Sequence, residues 1–178
     1  MDAFDIILRY YPHDDALRRL LLHHSRQVMR RALRIAARHP ELGMDRAFLV
    51  QAALLHDVGI FMTNAPGIHC HGKHPYLLHG YLGAELLRSH GMNRLARVCE
   101  RHTGTGLTPE QIAAQQLPLP PGSYVPETPE EQLLCYADKF YSKSHLDRCK
   151  TLPQAEKTIS RFGDEGLQRF LLWERMFE

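Results

Sequence analysis

The chain has 178 residues and a mass of 20.5 kDa, which suits one domain with a sizeable core. Its 22 basic and 20 acidic residues give a net charge of +2. This balance argues against a general nucleic-acid binder or a membrane-surface protein. No apolar run approaches the ~20 residues of a membrane span, and the acidic N-terminus lacks a signal-peptide pattern. The four dispersed cysteines form no CxxC pair, so we expect reduced thiols and a cytoplasmic location.

The composition predicts an all-α fold. Leu and Ala total 41 residues whereas Val and Ile total 12, and no stretch alternates with the period of a strand. Helices are predicted in chain order over residues 2–11, 15–39, 45–59, 75–90 and 93–102, a short one from 108, then over 129–144, 153–162 and 164–177. Asp14 or Asp15 can cap the second helix and Asp45 the third. Residues 61–74 and the proline-rich residues 117–129 are expected to be loops.

The most informative motif is a histidine–aspartate pair at the end of an apolar helix. It reads Leu54-Leu55-His56-Asp57-Val58-Gly59. Two ionisable side chains on such a helix need partners or water, and a metal ion satisfies both because imidazole and carboxylate are good ligands. The alternative is a helix end that simply emerges into solvent.

Four further helices each carry one histidine or aspartate on an otherwise apolar face, at His24, His79, His102 and Asp138. Any one of them alone could be a buried core residue with satisfied hydrogen bonds. Five such interruptions favour one convergent site instead. Four imidazoles and two carboxylates would suit two divalent metal ions that share a bridging carboxylate.

The arrangement resembles the HD-domain phosphohydrolase superfamily, whose two-metal members show the pattern H…HD…H…H…D. The HD pair closes a helix here as it does in that family, and the first histidine and last aspartate occur as His24-Ser25 and Ala137-Asp138. The resemblance covers about residues 20–145. It implies a single HD domain over residues 1–178, an all-α bundle of about eight helices around a metal site, with a core at about 15–148 and C-terminal helices at 153–177.

The resemblance also implies the ligands of each metal. His24, His56, Asp57 and Asp138 would hold one ion, His79 and His102 a second, and Asp57 would bridge the two. One or two divalent ions are expected, with Fe, Mn, Zn and Mg as candidates.

The stretches His102-Thr103-Gly104-Thr105-Gly106 and Tyr136-Ala137-Asp138-Lys139 look like the branch of nucleotide phosphatases and dinucleoside-polyphosphate hydrolases. The implied function is hydrolysis of a phosphomonoester or phosphoanhydride of a nucleotide by a metal-bound hydroxide, with Asp57 as the catalytic residue. The expected partner is a small phosphate compound, without general nucleic-acid or membrane binding and with a homodimer left open. A di-iron oxygenase of the same superfamily and a non-catalytic, metal-stabilised sensor are the alternatives.

Substrate contacts are expected from polar residues near the ligands, although solvated surface charge is the alternative for each. The candidates are Lys73, Arg101, Thr103, Lys139 and Lys143. Many family members carry a lysine just after the HD-x-G segment, and this chain has Ile60 there, so the cation of that position is missing.

A dense group of donors, His69, Cys70, His71 and His74, follows the HD helix. We expect it to form a polar lid over the metal pocket, with Lys73 or His74 reaching the substrate. A separate zinc site and a plain solvated loop are the alternatives.

Overall fold

The computed structural model describes residues 2–178, and within them nine α-helices form the body of the protein. The helices are α1 (Ala3–Tyr10), α2 (Ala16–Arg38), α3 (Arg46–Leu55), α4 (His79–Ser89), α5 (Asn93–Arg101), α6 (Pro109–Ala114), α7 (Pro129–Asp138), α8 (Leu152–Ile159) and α9 (Asp164–Phe177). The all-α prediction is therefore confirmed. Within the described residues, the structure holds no helix that is both long and apolar enough to span a membrane.

Side-chain caps fix where several helices begin, as the sequence predicted. The Asp15 carboxylate accepts the backbone N–H of Arg18 at the start of α2, and Asp45 does the same for Phe48 in α3. Such caps satisfy N–H groups that have no partner inside the helix. The apolar faces of α2 and α3 pack against each other. Both helices contribute to a single hydrophobic core together with α4, α5 and α7.

The segment 61–74 is more ordered than the predicted loop. Strand β1 (Thr63–Ala65) pairs antiparallel with β2 (Cys70–His71) and parallel with β3 (His74–Pro75). Because residues 74 and 75 are extended in this sheet, α4 begins at His79, after a 3-10 turn, and not at the predicted Pro75. Strands of two or three residues are too short to show a period in the sequence.

Helix α7 also ends earlier than predicted, at Asp138 and not near Ser144. The chain then forms a hairpin of β4 (Tyr141–Ser142) and β5 (His145–Cys149). Phe140 between helix and hairpin is buried against the ring of Tyr136, and Lys143 turns inward toward Asp57. Tertiary contacts of this kind outweigh the local preference for a longer helix.

Candidate metal centre

Five helices bring the six predicted ligand residues together at one buried point. Helix α2 contributes a residue from its middle, two residues lie in the turn directly after α3, and the others lie at the start of α4, directly after α5 and at the end of α7. All six side chains are buried: His24, His56, Asp57, His79, His102 and Asp138. The structure thus places the interrupted apolar faces of these helices around a common centre.

Three of the histidines are oriented by the same local contact. The Nδ1 atoms of His56, His79 and His102 each lie 2.7 Å from a backbone carbonyl three residues earlier in the chain. A carbonyl oxygen only accepts, so each Nδ1 carries the proton and donates it. The Nε2 atom of each ring then points to the centre, and it offers a lone pair to a cation whenever the ring is neutral.

Asp57 lies in the middle of the cluster. Its Oδ2 atom is 3.2 Å from Nε2 of His24 and 3.1 Å from Nε2 of His56. Its Oδ1 atom is 3.4 Å from Nε2 of His79 and 3.3 Å from Nε2 of His102. The two carboxylate oxygens therefore face two different histidine pairs, which is the arrangement of a bridging carboxylate.

Asp138 lies close to only one of these histidine pairs, His24 and His56. Its Oδ1 atom lies 2.9 Å from Nε2 of His24 and 3.7 Å from Nε2 of His56. Its Oδ2 atom accepts a hydrogen bond from the Lys139 ammonium at 2.8 Å. Asp138 is thus placed to complete a four-residue donor set with His24, His56 and Asp57.

The donor geometry fits divalent cations. The Nε2 atoms of His79 and His102 are 3.0 Å apart, and those of His24 and His56 are 3.3 Å apart. Facing lone pairs beside a carboxylate repel each other unless a cation or proton lies between them. Two groups of donor atoms, one on His24, His56 and Asp57 and one on Asp57, His79 and His102, are close enough to hold an ion each.

The electrostatics of the site demand positive charge. Burial raises the pKa of the Asp57 carboxyl, but the charges of Lys143 and His56 act against burial, and the pKa lies well below the usual range. Burial also lowers the pKa of His56, and the charge of Asp57 outweighs this effect and raises that pKa to about 9. Burial and the neighbouring His102 lower the pKa of His79 to about 3. The centre thus favours an anionic Asp57 with the cations Lys143 and His56 on one side and the neutral ring of His79 on the other.

Two lysines supply positive charge from the segment after α7. The Lys143 ammonium lies 2.7 Å from Asp57 Oδ2, and Lys139 donates to Asp138. Position 60 itself carries no cation, as the sequence shows, and Lys143 brings a cation to Asp57 from another part of the chain. Ile60 is buried in the core, and the hairpin supplies the cation instead.

The other predicted substrate residues lie elsewhere. The Arg101 guanidinium points away from the cluster, because it bonds to the Val125 carbonyl at 2.6 Å and pairs with Glu127 at 2.7 Å. Thr103 lines a neighbouring cavity of about 640 Å³. Lys73 is exposed on the loop, and within residues 2–178 it takes part in no ion pair with the cluster. Lys139 and Lys143 are the candidates that the structure brings to the site.

The loop of donors after the HD helix does not form a second centre. Among residues 2–178, the donor groups close enough for a metal ion do not include His69, Cys70, His71 or His74. Cys70 is buried in β2, while the three histidines are exposed. Within the described residues, the structure therefore does not bring these four donors together as a zinc site.

Sequence reasoning missed the side chain that covers the second histidine pair. The ring of Tyr76 stacks on His79 with ring centroids 4.6 Å apart and an interplanar angle of 18°. The Tyr76 carbonyl also accepts the Nδ1 proton of His79. The only sequence signal is an aromatic residue three positions before a ligand, which is too common to single out.

The fold and the cluster define a helical protein with a buried histidine–carboxylate centre suited to divalent ions. The sequence model of the HD domain matches residues 21–142. An uncharacterised protein of Methanocaldococcus jannaschii is 37% identical over 142 residues, which cover 79% of this chain and 76% of that protein. The chain therefore belongs to the HD-domain family, as the resemblance predicted. No solved structure matches it significantly.

Two further relatives carry a functional name, tRNA (cytidine(56)-2'-O)-methyltransferase. The protein of Picrophilus torridus is 37% identical over 134 residues, covering 75% of this chain and 35% of the relative. That of Thermoplasma volcanium is 32% identical over 141 residues, covering 79% of this chain and 36% of the relative. The chain thus spans about a third of the length of these curated relatives.

These names contradict the predicted activity and partners. They describe a methyltransferase and a tRNA substrate, so the prediction of a phosphohydrolase that acts on a small nucleotide and has no nucleic-acid partner is wrong. The error has two physical sources. A pattern of metal ligands in the sequence indicates which residues can bind a metal ion, but it does not indicate the substrate that the metal site acts on. A net charge of +2 is an average that conceals local basic surfaces.

Proposed function

We propose that this chain is a metal-dependent enzyme domain that acts on tRNA. The observation that carries the proposal is the geometry at Asp57, whose two carboxylate oxygens face two separate pairs of histidine Nε2 atoms. Buried clusters of ionisable groups with strongly shifted pKa values are typical of active sites. The substrate class comes from the two relatives that are named as tRNA-modifying enzymes.

Each residue of the centre has a role in this proposal. His24, His56, Asp57 and Asp138 would hold one divalent ion, and Asp57, His79 and His102 a second. Bound ions would lower the pKa of a coordinated water or hydroxyl group and offset negative charge on the RNA. The lysines at 139 and 143 add positive charge on the side of the cluster formed by the residues after α7.

The length of the match suggests a division of labour in the relatives. The region they share with this chain is about a third of their length, and because it covers 75–79% of this chain it includes most of the HD domain at residues 21–142. We place methyl transfer in the remaining part of those proteins and a metal-dependent step on the same tRNA in the shared part. The buried centre supports this, because its donors are imidazoles and carboxylates arranged for cations.

The test compares the wild-type protein with Asp57→Asn, which keeps the shape of the side chain and removes its charge. Both are analysed for bound metal and incubated with tRNA and a series of divalent ions, with and without a labelled methyl donor. The intact tRNA and its nucleosides are then measured by mass spectrometry. We expect a metal-dependent change in the tRNA whose rate falls by more than about 100-fold in Asp57→Asn. Loss of a residue that only hydrogen-bonds to a metal ligand can already lower metal affinity or activity by up to ~100-fold.

His23→Ala is the matched control, because His23 neighbours a proposed ligand but is exposed on α2. It should bind metal and act on tRNA like the wild type. Unchanged tRNA with every metal would contradict the proposal. Methyl incorporation by the chain alone that persists in Asp57→Asn would also contradict it, since the activity would then lie outside the metal centre.

A further inference from the structure

A basic groove lies beside the metal centre. Three adjoining cavities of about 680, 590 and 200 Å³ share one lining residue, Lys150. The hairpin β4–β5, the end of α7 and helix α8 with the turn after it form their walls. We define the basic groove by its six cationic side chains, Lys139, Lys143, Arg148, Lys150, Lys157 and Arg161.

Most of these cations have no counter-ion in the protein. Among the ion pairs of residues 2–178, none involves Arg148, Lys150, Lys157 or Arg161, which line one wall of the groove. The acidic residues of the lining are Asp147 and Asp138, and Lys139 already pairs with the latter. The groove therefore carries an excess of positive charge, which attracts a polyanion.

An exposed aromatic ring lies within the same surface. Phe162 is 66% exposed, although burial of a phenylalanine side chain normally stabilises the folded protein. It ends the 3-10 turn Ser160–Phe162, directly before Gly163, whose φ of 107° favours glycine and reverses the chain there. The ring lines two cavities of the groove, those of about 590 and 200 Å³. It also lines the neighbouring cavity of about 640 Å³ that Thr103 borders.

The groove opens onto the metal centre. The cavity of about 200 Å³ is lined by both Phe162 and Asp138, and Asp138 lies 2.9 Å from His24. The cavity of about 590 Å³ is lined by Phe162, Lys143 and Tyr76, and Tyr76 stacks on His79. A ligand in the groove would therefore contact residues that border both histidine pairs.

We propose that the basic groove binds a single-stranded segment of RNA. One base stacks on Phe162, and the backbone phosphates follow Lys150, Lys157 and Arg161. An exposed ring combined with unpaired cations is the arrangement that binds unstacked nucleotides, because every base offers a face for stacking and every phosphate a charge. A base inside a duplex is already stacked on its neighbours, so the groove selects a loop or an unpaired end. This inference rests on the proposed function for its substrate class and adds the surface that receives it.

The test measures binding of a fluorescently labelled single-stranded RNA oligonucleotide and of tRNA by polarisation at several salt concentrations. Phe162→Ala should weaken binding of both by about tenfold, through loss of stacking. Lys157→Gln and Arg161→Gln should each weaken binding and reduce the slope of log affinity against log salt by about 0.7, the contribution of one phosphate contact on a single strand.

Two exposed residues outside the groove serve as matched controls. Phe4→Ala removes an exposed ring of α1 that is 48% accessible, and Arg46→Gln removes an exposed cation of α3. Both variants should bind RNA within about twofold of the wild type. Equal binding by Phe162→Ala and Phe4→Ala, or full competition by duplex RNA of the same length, would overturn the inference.

The same assay separates this inference from the proposed function. RNA binding that depends on Phe162 and Arg161 would support the groove even if the tRNA stayed chemically unchanged. Metal-dependent action on tRNA that is insensitive to both substitutions would overturn the groove and leave the proposed function intact.

Discussion

Gly59 shows how a single residue sets the position of the metal centre. It follows the turn that carries His56 and Asp57, and a Cβ atom there would overlap the His79 carbonyl and come within 2.5 Å of the Gly83 backbone nitrogen. We expect Gly59→Ala to force α3 and α4 apart and to lower the free energy of unfolding by about 1–3 kcal/mol. Urea unfolding measures this. Gly67→Ala, with no atom within 4 Å of the added carbon, should unfold like the wild type.

The six residues of the metal centre could be predicted from the sequence, because each one is an ionisable residue on an otherwise apolar helical face. A histidine or carboxylate on an apolar helical face is visible in the sequence, and the structure brings all six such residues to one point. Lys143 could not be identified with the same certainty as a neighbour of Asp57, because its position depends on a hairpin that replaces the predicted end of a helix. Phe162 gave no signal, since exposure is a property of the folded chain.

At the scale of elements, an ion-pair network ties the end of α5 to the segment before α7. Glu127 accepts from Arg101 and from Arg97, each at 2.7 Å, and these guanidinium groups lower the pKa of Glu127 to about 2. A lowered pKa in the folded state stabilises the protein above the ordinary value of 4.5, and this contribution is lost as the pH falls toward 2. The network thus helps to hold His102 at the end of α5.

We therefore expect Glu127→Gln to lower the free energy of unfolding at neutral pH. Because the carboxylate is largely exposed, solvent screening limits the effect to about 0.5–1 kcal/mol. The difference from the wild type should shrink as the pH falls below 4.5 and vanish near 2, as followed by urea unfolding at each pH. Glu110→Gln removes an exposed carboxylate of α6 and should show no such pH dependence. A difference for Glu127→Gln that persists at pH 2 would contradict the ion-pair explanation.

The helices themselves were predictable because their signals are local. Asp15, Asp45 and Pro109 mark helix starts in both the sequence and the structure. The two small sheets and the early end of α7 were not predictable, since they depend on contacts such as that of Gly72 with the Thr63 carbonyl and of Lys150 with the Phe140 carbonyl. Short strands fixed by such distant contacts leave no periodic pattern.

Over the whole molecule, positive and negative charges are separated in a way that the net charge conceals. The carboxylates of Asp57 and Asp138 are buried, and the exposed cations of the basic groove, Arg148, Lys157 and Arg161, lie at the surface beside them. The overall value of +2 therefore does not reveal the local excess of cations in the basic groove. An RNA phosphate would meet the surface cations first, and the buried carboxylates would be screened from it by the lysines and by bound cations.

This charge arrangement predicts that divalent ions stabilise the entire fold. Without them the five helices must hold facing imidazole lone pairs and two carboxylates at close range. An ion that binds only the folded state at about 1,000 times its dissociation constant adds roughly 4 kcal/mol, which corresponds to a rise of roughly 10 °C in Tm for a chain of this size. Differential scanning calorimetry with and without a chelator should show this rise in the wild type and in His23→Ala, and little of it in Asp57→Asn. Equal Tm values for the wild type in both conditions would mean that protons, and not metal ions, balance the centre.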